Sequence, residues 1–355
     1  MYVDDFELII GNTTAENILL EYAQANNIET LLLYGLHIFN ANNNLSNTET
    51  NYVLANFIYK AKTIYGVISV GATAENGNFF TNTIDTYNNS RSDPLEKFDI
   101  YNLEFEYWSN YATGPGGYYC NTYLTPNNLP CTIEGAFEFY ISVLQTIKNL
   151  AINNSHPITT EAYVGWPTET EASTIGANLD RVRIHAYVSN PNSAFSYLEN
   201  RLIDFANGNP DIDVSIIFSS EPEFMSDWLS SNSIIAAENI FIDDWRNASS
   251  IWANNINLID FTYFTYTDLK DTDTTLSTNI QEVKEVVSVF PNPMQNTLSV
   301  RSIAPIKNIR AYDVLGKLVL ETKERNINVN NLSAGIYFFQ IHTEKGMKII
   351  KTVKE

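Results

Sequence analysis

Two cysteines and four histidines in 355 residues leave the chain poor in the side chains that hold metals. A zinc site draws its four ligands mostly from those two residue types, so none is expected, and nothing in the sequence asks for a cofactor. Basic residues are also scarce, with 21 Lys and Arg against 41 Asp and Glu for a net charge of −20. A phosphate backbone is bound through Lys and Arg, which excludes nucleic acid as a partner of the acidic part of the chain. No run of about 18 apolar residues exists, so no helix is expected to span a membrane. Signal-peptide features are missing too. Met1 is followed at once by Tyr2-Val3-Asp4-Asp5-Phe6, which reads as the end of a strand, and the natural start is therefore expected upstream.

What is present is a large apolar and aromatic inventory, 44% hydrophobic with 21 tyrosines, ample for a packed core. Charge is divided unevenly along it. Residues 284–355 hold 11 of the 21 basic residues and 6 of the 41 acidic ones, a net of +5, which leaves −25 on the first 283. Such a shift marks two separately built units. Neutral ligands stay open for the larger one, whose acidity also serves solubility. Cys120 and Cys131 share one Gly- and Pro-rich segment, and a pair closing so short a loop suits a disulfide in an oxidising compartment.

Through residues 1–268 strand-like runs alternate with helical periodicity. The strands fall at 1–4, 30–37, 67–73, 98–107, 160–166, 181–188, 213–219 and 257–264. Helical segments lie between them at 14–26, with Thr14 as its cap, and at 48–64, 133–149, 193–207 and 222–230. Eight βα units in about 250 residues predict an α/β fold, a (β/α)8 barrel. An open doubly wound sheet would place a Gly-rich loop after its first strand, where Asp4-Asp5-Phe6-Glu7-Leu8 stands instead. Residues 269–287 lose periodicity and read as a linker. Seven short alternating runs follow in 288–355, predicting a small antiparallel β-sandwich. Turn signals at 291–293, 313–316, 330–335 and 344–346 separate them.

Active sites of (β/α)8 barrels sit at the C-terminal ends of the strands. That rule nominates Asp4, Asp5, His37, Glu75, Glu104, Glu106, Trp166, Tyr187, Glu221, Glu223, Tyr263, Tyr266 and Asp268. The fourth strand is the most informative. Asn102, Glu104 and Glu106 alternate along it and share one face, between Phe105, Tyr107 and Trp108. Two carboxylates on a buried face are costly unless partnered or protonated, which makes them candidates for acid/base chemistry. His37 and His185 read as packing or hydrogen-bonding residues, and Glu221 and Glu223 as solvated loop charges.

Two families are resembled. Pro291-Asn292-Pro293, Asp313-Val314-Leu315-Gly316-Lys317, Leu332-Ser333-Ala334-Gly335-Ile336-Tyr337 and Gly346 before Lys348 and Lys351 resemble, in order, the type A C-terminal sorting domain of the Bacteroidota type IX secretion system. The resemblance implies passage through the periplasm and outer membrane, and the secretion machinery as a partner through residues 288–355. The protein would then be secreted or held at the cell surface. In the barrel, Asp99-x-x-Asn102-x-Glu104-x-Glu106 resembles the D-x-x-D-x-D-x-E signature of glycoside hydrolase family 18, the chitinases and endo-β-N-acetylglucosaminidases. Two of its four positions match. Ser69-Val70-Gly71-Ala72 is similar to the family's S-x-G-G, and Ile184-His185-Ala186-Tyr187 falls at its M-x-Y-D, with Val188 in place of the Asp.

That second resemblance implies a substrate-assisted glycosidase acting on N-acetylglucosamine-containing glycans. Glu106 would be the general acid and base, and Glu104 would steer the acetamido group. Tyr187 would hydrogen-bond the acetamido oxygen, and Trp108, Trp166, Tyr263 and Asn102 would bind sugar. The charge of Glu104 and burial would both keep Glu106 protonated. Glu104 is one methylene longer than the usual Asp, a change of about 1 Å that can cost about a hundredfold in rate. Two alternatives accompany this reading: a glycan-binding barrel without turnover (a lectin or adhesin), and a hydrolase of non-acetylated sugars with Glu221 or Glu223 as nucleophile. Carboxyl separations of about 5 Å for a covalent nucleophile and about 6.5–9.5 Å for inversion would sort the last case.

Overall fold

The computed structural model describes residues 1–248, 251–272, 288–302, 305–313, 317–343 and 347–354. The chain divides into two compact units, Met1–Thr278 and Asn279–Glu355. The linker expected at 269–287 lies outside the described residues from 273 onward, and its first four residues belong to a helix, Tyr266–Thr272.

In the larger unit the apolar runs form strands β1 (Tyr2–Val3), β2 (Thr30–Leu33), β3 (Ser69–Ala74), β4 (Ile100–Leu103), β5 (Thr159–Val164), β6 (Arg181–Ala186), β7 (Ile212–Ser219) and β8 (Ile256–Phe264). They pair in parallel in strict chain order, and β8 returns beside β1. This is the expected (β/α)8 barrel. Its outward-facing side chains meet amphipathic helices. In Ile133–Asn153 the buried set Ala136, Phe139, Tyr140, Val143, Leu144 and Ile147 recurs at three- and four-residue spacing. Thr132 caps that helix by accepting the Gly135 N–H. Thr13–Ala25 begins one residue before the expected start. Its cap is Asn12, whose carboxamide accepts from the amides of Thr14 and Ala15, so Thr14 lies within the first turn. In 222–230 only Ser226–Leu229 is helical.

The barrel interior is polar below and aromatic above. Arg183 and Glu161, both without side-chain exposure, pair at 2.6 Å (Nε to Oε1), and Arg183 also reaches Ser215, Thr262 and Asp260. Above them Tyr2, Leu32, Ile100, Tyr163 and Ile217 form a small apolar cluster. Gly71, in the S-x-G-G-like motif, is required by this packing. A Cβ there would lie 3.1 Å from that of Ile100 and run into Leu32.

The smaller unit has two antiparallel sheets, β13-β10-β9 and β12-β11-β14-β15. Their strands are β9 (Ser288–Phe290), β10 (Thr297–Arg301), β11 (Ile306–Asp313), β12 (Leu318–Thr322), β13 (Asn326–Asn328), β14 (Gly335–Thr343) and β15 (Met347–Lys354). Alternation sets the core. Tyr337, Phe339 and Ile341 of β14 are buried with Leu298, Val300, Ile309, Ala311 and Ile327, while Ile336 and Phe338, which alternate with them, are exposed. The Pro291-Asn292-Pro293 motif is sutured to β15. The Asn292 side chain donates to the Lys351 carbonyl at 3.3 Å and accepts the Val353 N–H at 2.8 Å. The turn residues 314–316 and 344–346 lie outside the described residues.

Candidate functional site

Strand β4 ends at Leu103, earlier than the expected Tyr107, yet its alternation persists beyond the last paired residues. Phe105 and Tyr107 point outward, against Phe139 and against Phe137 and Tyr140 respectively, and both are buried. Glu104 and Glu106 therefore turn inward, at the C-terminal mouth.

Each carboxylate takes a tyrosine hydroxyl. Tyr34, just beyond β2, donates to Glu104 Oε2 at 2.7 Å. Tyr163 of β5 donates toward Glu106 Oε1 at 3.2 Å and also lies 3.1 Å from His185 Nδ1. Burial pushes the Glu104 carboxyl up to about 7. The Tyr34 bond opposes this, and the charges of Glu75 and Glu106 add to it. Glu106 is raised as well, by burial against the counter-effect of Tyr163. The expected push of the Glu104 charge on Glu106 is not among its causes, and the more deeply buried carboxyl of the two is Glu104.

The remaining expected residues divide. Tyr187 faces inward with Phe264 6.2 Å and His185 4.7 Å from its ring. Trp108 folds over Tyr163 at 5.4 Å, in space left by Gly165, where a Cβ would collide with the indole. Trp166 stands half exposed at the rim with the Arg201 guanidinium 4.3 Å from its ring. Two expectations fail. Asn102 is fully buried below the mouth, accepting from Tyr2 at 3.3 Å and donating to Glu161 at 3.0 Å, so it braces the interior and meets no sugar. Tyr263 sits outside the barrel, its hydroxyl donating to the Ile234 carbonyl at 2.9 Å. The cause is strand parity: Thr262 and Phe264 take the inward positions of β8, and Tyr263 between them points to the helices.

Among the other nominees, Glu221 accepts from Ser219 at 2.8 Å on the loop after β7, and Glu223 is exposed. Asp99, at the first position of the carboxylate signature, is engaged at the other end of β4. It pairs with Lys62 at 2.6 Å and takes the Val70 N–H at 2.9 Å.

One wall of the mouth comes from the segment stapled by the Cys120–Cys131 disulfide. Tyr118 and Tyr123 both donate to Glu75 Oε2, at 2.9 and 2.6 Å. Tyr119 stacks on Phe105 with centroids 4.1 Å apart and accepts the Glu106 backbone N–H at 3.3 Å. A cavity of about 200 Å³ opens there between Tyr34, His37, Glu75, Phe79, Glu104 and Tyr123. A larger one of about 560 Å³, lined by Met1, Glu238 and Tyr263 among others, lies against β8 and the helix Ile234–Asn247, away from the carboxylates. Tyr34 and Tyr163 escaped the sequence reading. Counting in twos along β2 from Leu32, and along β5 from Glu161, would have put both on the inward face. Among the described residues no three His, Cys, Asp or Glu side chains are placed to share a metal.

Residues 288–355 match the family described as the secretion system C-terminal sorting domain. The small unit is therefore a sorting domain. It marks the chain for export across the outer membrane, to the cell surface or beyond, and implies contact with the secretion machinery. No helix among the described residues is long and apolar enough to cross a membrane. No curated protein sequence matches the chain. Among solved structures it is similar to a β-glucuronidase from Bacteroides uniformis (8% identity, TM-score 0.41), over 97% of this chain and 43% of that one. It is similar also to a GH27 β-L-arabinopyranosidase from Geobacillus stearothermophilus (10%, TM-score 0.36, 100% and 94% covered). A family GH18 chitinase from Chromobacterium violaceum matches at 10% with TM-score 0.34, covering 83% and 80%. The chain thus spans less than half the length of that β-glucuronidase. At these scores the likenesses assign neither substrate nor mechanism.

Proposed function

We propose that the barrel is an exported glycosidase acting on N-acetylglucosamine-containing glycans, with Glu106 as general acid and base. The observation that carries this reading is the inward pair Glu104 and Glu106 at the barrel mouth, both held above the ordinary carboxylate range by burial and each tied to a tyrosine. A carboxyl raised above its ordinary range keeps its proton to higher pH and can protonate a glycosidic oxygen, and once ionised it can activate water. Glu104 would orient the acetamido group, whose oxygen attacks the anomeric carbon in the substrate-assisted route. Tyr187, just beyond β6, would receive that group, and Trp108 and Trp166 would supply stacking faces.

A second reading is a barrel that binds glycans without turnover. It is favoured by Glu104, one of whose two carboxyl oxygens is already committed to Tyr34. Release of chromophore from a chitobiose-type substrate by the full chain tests both. Hydrolysis by wild type, lost by at least a hundredfold in Glu106→Gln with binding retained, is the outcome expected. Equal turnover in the variant would remove Glu106 from the role, and binding with no turnover in wild type would leave the second reading.

A further inference from the structure

We propose that Tyr163 and His185 form a proton-sharing pair behind Glu106, in which the protonation state of Glu106 fixes the ring tautomer of His185. The inference builds on the assignment of Glu106 as the acid and base, but its geometry stands apart from any substrate. Tyr163 has a single hydroxyl hydrogen and lies within reach of Glu106 Oε1 at 3.2 Å, of His185 Nδ1 at 3.1 Å and of the Tyr187 hydroxyl. Burial holds its phenol well above the ordinary tyrosine range, so that hydrogen is always present. Burial, aided by the Arg201 charge, lowers the His185 ring to about 3, so the ring is neutral and carries one N–H.

Two arrangements keep Glu106, Tyr163 and His185 in one hydrogen-bonded line. With Glu106 ionised, the Tyr163 hydrogen goes to the carboxylate, the stronger acceptor, and a bare Nδ1 would then set its lone pair against the phenol oxygen. The ring must therefore carry its hydrogen on Nδ1 and donate it to Tyr163. With Glu106 protonated, its O–H donates to Tyr163, Tyr163 donates to a bare Nδ1, and the ring hydrogen moves to Nε2. One proton is gained at Glu106 and one is relocated on the ring. No charge is left on the histidine.

The other ring nitrogen makes this switch possible. Among the described residues Nε2 is buried with no hydrogen-bond partner, so none of them selects a tautomer from that side. A histidine serving packing alone is ordinarily pinned by a second partner. The titratable and charged neighbours are few. Glu106 faces Glu104 from its own segment and the Tyr119 hydroxyl from the stapled loop. The histidine faces Tyr187, just beyond β6, and Tyr197 and Arg201 from the helix Ala194–Gly208. The Tyr187 phenol also faces Tyr163. None of these reaches Nε2. For the proposed chemistry the pair would hold Glu106 by one hydrogen bond in both of its protonation states, which makes Tyr163 and His185 positioning residues.

Nitrogen-15 NMR of the histidine rings in the full-length protein tests the coupling without any need for turnover. The pyrrole-type and pyridine-type resonances of His185 are expected to exchange positions over the same pH range in which the Glu106 carboxyl carbon titrates, while His37, His156 and His342 serve as internal references. Glu106→Gln, which has no carboxyl proton to change, is expected to freeze the ring in one tautomer throughout. A wild-type ring that keeps one tautomer across the Glu106 titration, or a switch that survives Glu106→Gln, overturns the proposal. If the protein proves to bind glycans without cleaving them, this result still stands or falls on its own. If it hydrolyses, His185→Phe is expected to shift the alkaline limb of the kcat profile, where the general acid Glu106 ionises, while KM holds. An unmoved limb counts against the positioning role.

Discussion

The Tyr34 hydroxyl reaches Glu104 Oε2 at 2.7 Å from two strands away, and it is the one protein donor that this carboxyl has among the described residues. A single hydrogen bond does not offset the cost of burial, and Glu104 stays protonated up to about pH 7. Its folded value lies above the unfolded one of 4.5, so the native state holds a proton that the unfolded chain has released. Stability from this group is complete below about pH 4.5 and is lost as pH rises through 7. The shift corresponds to about 3 kcal/mol. Glu238, also raised to about 7 by burial, adds a slope of the same sign. Urea unfolding of Glu104→Gln against wild type at pH 5 and pH 8 isolates the first: the variant gains relative to wild type at pH 8. An unchanged difference between the two pH values would contradict the burial of this carboxyl.

Removing the hydroxyl acts on the same group in a known direction. The Tyr34 bond favours the ionised form of Glu104, so Tyr34→Phe is expected to move its titration above 7. Carbon-13 NMR of the carboxyl reads this directly. A downward move would mean that Tyr34 donates elsewhere.

Below the mouth, Arg183 and Glu161 are an ion pair without solvent on either side. Arg183→Leu leaves the Glu161 carboxylate with the Asn102 side-chain donor at 3.0 Å and the 3.4 Å contact to Arg181, and a broken buried pair costs about 3–5 kcal/mol. Adding Glu161→Gln removes the stranded charge and should restore part of that loss. Denaturant midpoints of the single and double variants decide it, and additive losses would show that the two side chains are not coupled.

The barrel was legible because both of its periodicities are strong: eight apolar runs with helical segments between them, each found within a few residues. The seven strands of the sorting domain were legible for the same reason. Strand ends were less so. Phe105 and Tyr107 extend the alternation of β4 past its last paired residues, which is why a strand to Tyr107 was expected. The inward direction of Glu104 and Glu106 followed from counting in twos. The same count, applied to β8, would have excluded Tyr263 in favour of Phe264. Asn102 shared the right face at the wrong depth, since height within a barrel depends on the stagger of neighbouring strands, which no single segment carries. Tyr34 and Tyr163 were hidden because each matters only through a partner on another strand.

The Cys120–Cys131 disulfide carries the last prediction, because the loop it closes contains Tyr123 and is anchored directly beside Tyr118 and Tyr119, all three of which pack against the site. Closing a loop of 11 residues is worth about 2–3 kcal/mol in the chain-entropy account. The double variant Cys120→Ala with Cys131→Ala is expected to lose that much in unfolding free energy. It should also lose more than stability. With the loop released, Glu75 gives up the Tyr123 donor, while the Tyr118 donor, the Tyr119 bond to the Glu106 amide and the Tyr119 stack on Phe105 lose their anchor at Cys120. Glycan affinity is therefore expected to fall by more than the unfolded fraction explains, measured by titration calorimetry well below the melting point. Unchanged affinity in a folded variant would show that the stapled loop is a stability element with no part in the site.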